Sequence, residues 1–199
     1  MDGATSRKTE LGNVYFKPWV GSQYPKGNVK LLLLGESHYD ERKPSPSFTI
    51  DLIHEYANGE WTHRYWTQIM QVVSGKRYLE IDKHSFWNKY AFYNYIQELV
   101  AGSAGVAPTK QMIESAIIPF SEVLSALKPT HLLVLSKRLW EYLPSYGGQG
   151  DDLIIGNQKR DTWLYPISEG KVKATWLPHP SYGFSAPKWH PWVAEFLKK

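Results

Sequence analysis

The chain predicts an α/β fold: a three-layer α/β/α sandwich around a central, mostly parallel four-stranded sheet. Three observations carry this. First, Leu31-Leu32-Leu33-Leu34 runs uninterrupted into Gly35, and such a run suits a strand covered on both faces, as in a parallel sheet between helices. Second, similar apolar runs recur at Leu132-Leu133-Val134-Leu135 and from Val172 to Leu177. Third, stretches of helical periodicity separate them, and parallel neighbours require crossovers of that kind.

Residues 1–28 read as an irregular N-terminal segment, punctuated by Gly12, Pro18, Gly21, Pro25 and Gly27. The first strand spans about Val29 to Leu34. A polar, proline-rich loop follows Tyr39, and residues 49–57 form a short helix ending near Asn58-Gly59. Arg64 to Val73 is a second helix, with Tyr65, Ile69 and Val72 on one face and Ser74-Gly75 as its stop. The aromatic stretch from Phe86 gives a short strand through Ala91-Phe92-Tyr93, then a loop at Asn94. Gly102 to Pro108 is a flexible loop. From Thr109 a long helix runs to Leu127, kinked at Pro119 and ended by Pro129. The strand at 130–136 leads to a short helix from Arg138 to Leu143, a glycine-rich loop at 145–152, and a hairpin or irregular excursion at 153–168. After the last strand, Pro178-His179-Pro180-Ser181 leads to a closing helix from about Trp189 to Lys198.

A chain of 199 residues with 42% hydrophobic residues fits a single domain, 1–199, with a sizeable core. The net charge of +4 permits a polyanionic partner without demanding one. The absence of cysteine excludes disulfides, thiolate zinc sites and a cysteine-ligated iron–sulfur cluster. The histidines show no metal-ligand spacing, so neither a metal nor another cofactor is expected. No stretch reaches membrane-spanning length, and Met1 to Lys8 lacks the apolar core of a secretory signal; a cytoplasmic monomer is the expectation. The 9 tryptophans and 13 tyrosines serve either as core or as platforms on which bases stack.

Ligands of parallel α/β sheets bind beyond the carboxyl ends of the strands. Three polar clusters occupy such positions: Glu36-Ser37-His38-Tyr39, Asn94, and His179-Pro180-Ser181. In this order and placement the sequence resembles the uracil-DNA glycosylase superfamily. Gly35-Glu36-Ser37-His38-Tyr39 matches that family's Gly-Gln-Asp-Pro-Tyr loop, Asn94 its base-reading asparagine, and His179-Pro180-Ser181-Tyr182 its His-Pro-Ser-Pro loop. The resemblance covers most of the chain from Val29 onward.

The resemblance implies hydrolysis of the N-glycosidic bond of uracil or another modified base in DNA, after the nucleotide is flipped from the stack. His179 then faces the oxygen of the departing base. Asn94 donates to and accepts from the base edge, Phe48 is the flat partner on which the base lies, and Tyr39 and Gly35 complete the base pocket. Pro180, Ser181, Gly183 and Lys188 meet the DNA backbone. The family's water-activating aspartate aligns with Ser37 and its proline with His38, which leaves Glu36 or His38 to orient water. Two other functions compete. A non-catalytic nucleic-acid binder on the same scaffold is favoured by the serine at the aspartate position. A serine esterase using Ser37 is disfavoured because Trp176 stands where an aspartate would hold the imidazole of His179.

Overall fold

The computed structural model describes residues 11–26, 28–101, 105–181 and 183–198. The expectations for residues 1–10, for Gly27, for part of the Gly102–Pro108 loop and for Tyr182 lie outside the described residues. The strands are β1 (Trp19–Val20), β2 (Leu31–Gly35), β3 (His38–Tyr39), β4 (Ala91–Asn94), β5 (Leu99–Ala101), β6 (His131–Val134), β7 (Gly148–Gln149), β8 (Leu153–Ile155), β9 (Gln158–Arg160), β10 (Trp163–Ile167) and β11 (Gly170–Trp176). The helices are α1 (Phe48–Ala57), α2 (Arg64–Ser74), α3 (Lys83–Lys89), α4 (Lys110–Ser115), α5 (Ile117–Leu127), α6 (Lys137–Tyr142) and α7 (Ala186–Phe196).

The main sheet has the order β1-β4-β2-β6-β11-β10-β7. It therefore has seven strands and is mixed, not four-stranded and mostly parallel as the sequence predicts. Its inner strands β4, β2, β6 and β11 are parallel to one another, whereas β1, β10 and β7 add antiparallel edges. The sequence expectation counts only continuous apolar runs. Strands as short as Trp19–Val20 and Gly148–Gln149 carry no period to read.

Side-chain alternation divides the core between the two faces of the sheet. Leu31 and Leu33 of β2, Phe92 of β4 and Leu133 of β6 pack on one face with Ile53 of α1, Trp66 and Met70 of α2, Trp87 of α3 and Val193 of α7. Leu32, Leu34, Tyr93, Leu132 and Val134 pack on the other face with Phe120 and Leu124 of α5 and Leu139 of α6. All four leucines of β2 are inaccessible to solvent, and each burial stabilises the fold by roughly 1.5–3 kcal/mol. The helical layers on both faces are those the sequence predicts.

Several boundaries differ for identifiable reasons. The helix from Thr109 breaks at Ala116 into α4 and α5, because the ring of Pro119 lacks an N–H and crowds the carbonyl of residue 115. Helix α3 was hidden within the aromatic stretch; the Asp82 carboxylate caps it by accepting from the Ser85 N–H at 2.7 Å. Helix α7 begins at Ala186, ahead of the expected Trp189, because Pro187 falls in its first turn, where proline is tolerated.

The expected irregular N-terminal segment contains β1, which pairs Trp19 with Phe92. Its Gly21 lies so close to the end of α3 that an added Cβ would stand 2.3 Å from the Trp87 carbonyl oxygen and 2.4 Å from that of Asn88. Both obstacles are backbone. Gly21→Ala should therefore lower the unfolding free energy by about 1–3 kcal/mol, measured by urea titration; an unchanged midpoint contradicts this packing.

Candidate functional site

The four inner strands run in the same direction, so their carboxyl ends share one edge. The ladders continue there: the Tyr95 N–H donates to the Gly35 carbonyl at 3.0 Å, the Ile96 N–H to that of Glu36 at 2.9 Å, and the Leu135 N–H to that of Leu34 at 2.9 Å. The Leu177 N–H donates to the Val134 carbonyl at 2.8 Å, two residues before His179. From this edge the chain leaves β2 for α1 on one face, but leaves β4 and β6 for α5 and α6 on the other. Divergent exits of this kind mark the strand-end position at which α/β sheets bind their ligands.

Glu36 lies at this edge, 8% exposed. The Arg138 guanidinium grips its carboxylate with two parallel bonds, Nε to Oε1 at 2.8 Å and Nη2 to Oε2. That carboxylate raises the pKa of Arg138 further above its ordinary value. Arg138 is the second residue of α6, whose start is fixed by Ser136 Oγ accepting from the Leu139 N–H at 3.2 Å.

Gly35 and Asn94 are paired in register across β2 and β4. A Cβ on Gly35 would stand 2.0 Å from Asn94 Oδ1 and 3.0 Å from the Tyr65 hydroxyl, so the missing side chain is the space these groups occupy. Asn94 is 5% exposed, and its side-chain amide has no hydrogen-bond partner among the described residues. The His179 ring lies against the Tyr65 ring, with centroids 5.1 Å apart and planes tilted by 31°. His179 is accessible at the rim, yet the protein packed beneath it desolvates the imidazole and lowers its pKa; the Glu36 charge opposes this, and Arg138 and His63 reinforce it.

The structure thus brings Gly35, Glu36, Asn94 and His179 to one edge, as the strand-end reasoning predicts. Tyr39 borders the group: its hydroxyl donates to the Val106 carbonyl at 2.7 Å and lies beside Arg138. Pro180 is buried, and Ser181, Gly183 and Lys188 are exposed on or just after the loop leaving β11. The Ser181 N–H donates to the His179 carbonyl at 2.7 Å, and among the described residues nothing lies within 4 Å of a Cβ placed on Gly183. The Lys188 ammonium is 5.6 Å from the centre of the Trp189 ring.

Three expected roles are corrected. His38 is 5% exposed and shares a 2.8 Å hydrogen bond with Thr49 Oγ1, wedged edge-on against Phe16 and Phe48. Burial pushes its pKa down to about 4, with Asp40 opposing. It is a neutral packing group. Phe48 is also 5% exposed, covered by Phe16, His38 and the Arg42 guanidinium 5.1 Å from its ring centre, so it offers no free face to a base. Among the described residues the buried Ser37 hydroxyl has no hydrogen-bond partner, and the adjacent His38 is committed to Thr49, so no nucleophile–base pair of a serine esterase is assembled there.

Tyr65, Arg138 and His63 were missed. Arg138 had a signal: Ser136-Lys137-Arg138 is the polar segment after the Leu132–Leu135 run, a strand end like the others. Tyr65 had none, because its helical spacing marks it as core. Two clefts lie elsewhere. One of about 470 Å³ is lined by Gln23, Lys26, Val29, Lys89, Tyr90 and Leu197 at the opposite, amino edge, and one of about 160 Å³ is bounded by Trp140, Leu143, Trp163 and Tyr165. Among the described residues no group of His, Asp and Glu side chains is arranged to hold a metal ion. No protein-family model matches the chain, and a search of curated proteins finds no match.

Burial lowers His38 from 6.5 to about 4, so the unfolded chain binds the extra proton between those values. The resulting stability, roughly 3 kcal/mol, is present above pH 6.5 and lost as pH falls to about 4. His131, also lowered to about 4, acts in the same direction. Urea unfolding at several pH values should show the midpoint falling through this window, with a shallower fall in His38→Gln; identical slopes would exclude the contribution of His38.

Proposed function

We propose that this chain is a divergent member of the uracil-DNA glycosylase superfamily that hydrolyses the bond between deoxyribose and a flipped, modified base. The reading is carried by one observation: Glu36, Asn94 and His179, distant in sequence, meet at one sheet edge, where the Asn94 amide has no hydrogen-bond partner among the described residues. An amide that no protein group engages is free to donate to and accept from a ligand edge.

In this reading Asn94 holds the base by donating and accepting. A water oxygen bonds to C1′ as the C1′–N bond breaks, and the bonding pair leaves with the base. His179 donates to the base oxygen on which negative charge collects. A carboxylate has about four lone-pair positions and Arg138 occupies two, so Glu36 retains others for that water. The water's proton ends on the departing base, which balances the reaction. Gly183, Ser181 and Lys188 approach the DNA backbone. The chain acts as a monomer without a cofactor.

A second reading, binding of a modified base without release, is favoured by the engagement of Glu36 with Arg138 and by the serine at position 37. Oligonucleotides carrying uracil, hypoxanthine, xanthine or mismatched thymine separate the two. Alkali-labile strands after incubation indicate release; a gel shift with intact strands indicates binding alone; neither outcome on any substrate refutes both. His179→Ala should reduce base release by about a hundred- to a thousand-fold. Its unfolding midpoint should barely move, because an exposed loop side chain contributes little to stability.

A further inference from the structure

The cleft of about 470 Å³ lies at the amino edge of the sheet, away from Glu36, Asn94 and His179, and the glycosylase reading makes no use of it. Its volume falls within the range of small-molecule sites, and its walls divide by chemistry. Val29, Leu197 and the Tyr90 ring supply apolar surface, with Tyr90 and Leu197 packed against the core behind them. Gln23, Lys26, Lys89 and the Tyr90 hydroxyl supply the polar groups. Backbone bonds hold these walls together. The Gln23 N–H donates to the Asn88 carbonyl at 2.8 Å, the Gly21 N–H to the Tyr90 carbonyl at 3.1 Å, and the Lys26 N–H to the Gln23 carbonyl at 3.1 Å. The turn that carries Lys26 is thereby fixed to the end of α3, which carries Lys89. The Tyr90 ring is steadied by Phe86, with centroids 4.8 Å apart.

These polar groups are uncommitted. Among the described residues neither Lys26 nor Lys89 pairs with a carboxylate. The Tyr90 hydroxyl and the Gln23 side-chain amide likewise have no hydrogen-bond partner among them. The carbonyls of Asn88 and Tyr90, at the end of α3, are taken by Gln23 and Gly21, so Lys89 is not spent on capping them. Glu195, two residues before Leu197, is paired with Lys198. Burial raises the pKa of Tyr90 above its ordinary value, so the phenol stays neutral and keeps its O–H. The cleft thus offers two ammonium groups and neutral donors beside an apolar wall, with no protein anion to answer them. An ammonium is a compact charge suited to phosphate oxygens, and two of them match a dianion better than a single carboxylate. We propose that the amino-edge cleft binds a small phosphomonoester, its phosphate held by Lys26 and Lys89 and its apolar body against Tyr90, Val29 and Leu197. This stands independently of the glycosylase reading.

The probe is phenyl phosphate, compared with inorganic phosphate and with phenol by isothermal titration calorimetry on the full chain. Phenyl phosphate should bind roughly 10-fold more tightly than either part alone, because only it uses both walls. Lys26→Gln and Lys89→Gln should each weaken it by roughly 10-fold. Both side chains are exposed, so the urea midpoints of these variants should stay at the wild-type value. His179→Ala, at the opposite edge, and Lys110→Gln, on α4, should leave phenyl phosphate binding unchanged. Equal affinity for inorganic phosphate and phenyl phosphate overturns the site, as does full affinity in the Lys26→Gln/Lys89→Gln double variant. An equal loss in Lys110→Gln marks a general charge effect, and a loss in His179→Ala places the anion at the carboxyl edge; either result also overturns it. So does a wild type that does not bind phenyl phosphate at millimolar concentration.

Discussion

The hydrogen-bond ladders on the two sides of β2 are the constraint from which the site follows. Leu32 to Gly35 pair with Ala91 to Asn94 on one side, and Leu31 to Leu34 with His131 to Val134 on the other. A slip of one residue in either ladder would exchange Leu31 and Leu33 for Leu32 and Leu34 across the sheet, and every buried side chain would face the wrong helices. The same register sets Gly35 against Asn94 and carries Glu36 past the sheet to meet Arg138. The core that stabilises the fold and the edge that gathers the polar groups are consequences of one alignment.

At that edge, the energetics turn on a carboxylate largely removed from water. Desolvating Glu36 costs several kcal/mol, and the two parallel bonds from Arg138 offset much of this because their planar geometries match. Arg138 retains 44% of its side-chain exposure, so solvent screens the pair and its net contribution to stability is small. Its consequence is positional: Glu36 is held in one orientation beside Tyr65 and His179, and no flexible lysine could grip it through a matching planar fork. Arg160 supports the other rim. Its guanidinium centre lies 4.2, 4.9 and 5.1 Å from the rings of Trp176, Trp189 and Trp192 and donates to the Trp176 carbonyl at 3.0 Å, tying the end of β11 to α7 on either side of the His179 loop.

The residues between Gly35 and Phe48 divide according to what covers them. Glu36 keeps its carboxylate on Arg138 at the sheet edge, while His38 turns inward to Thr49 and the rings of Phe16 and Phe48. Phe16 belongs to a stretch that carries no periodic pattern, and it is fully buried. Its arrival converts a histidine and a phenylalanine suited to chemistry into a packed aromatic trio. Neighbours in a loop motif thus acquire unrelated tasks through contacts made far away in sequence.

By itself the sequence determined the layered α/β arrangement, because four consecutive leucines can be buried on both faces of a strand only beneath two layers of helices. It also determined that Glu36, Asn94 and His179 share an edge, because the ends of parallel strands coincide. Tertiary structure alone decided the antiparallel edges, since two-residue strands exist only through their partners, as Trp19 does through Phe92. It also decided that Phe48 is covered, that Arg138 grips Glu36, and that Tyr65 stands over Gly35. Those facts depend on which surfaces meet after the chain has folded back on itself, and a contact between residues 102 positions apart, such as Arg138 with Glu36, leaves no periodicity along the chain.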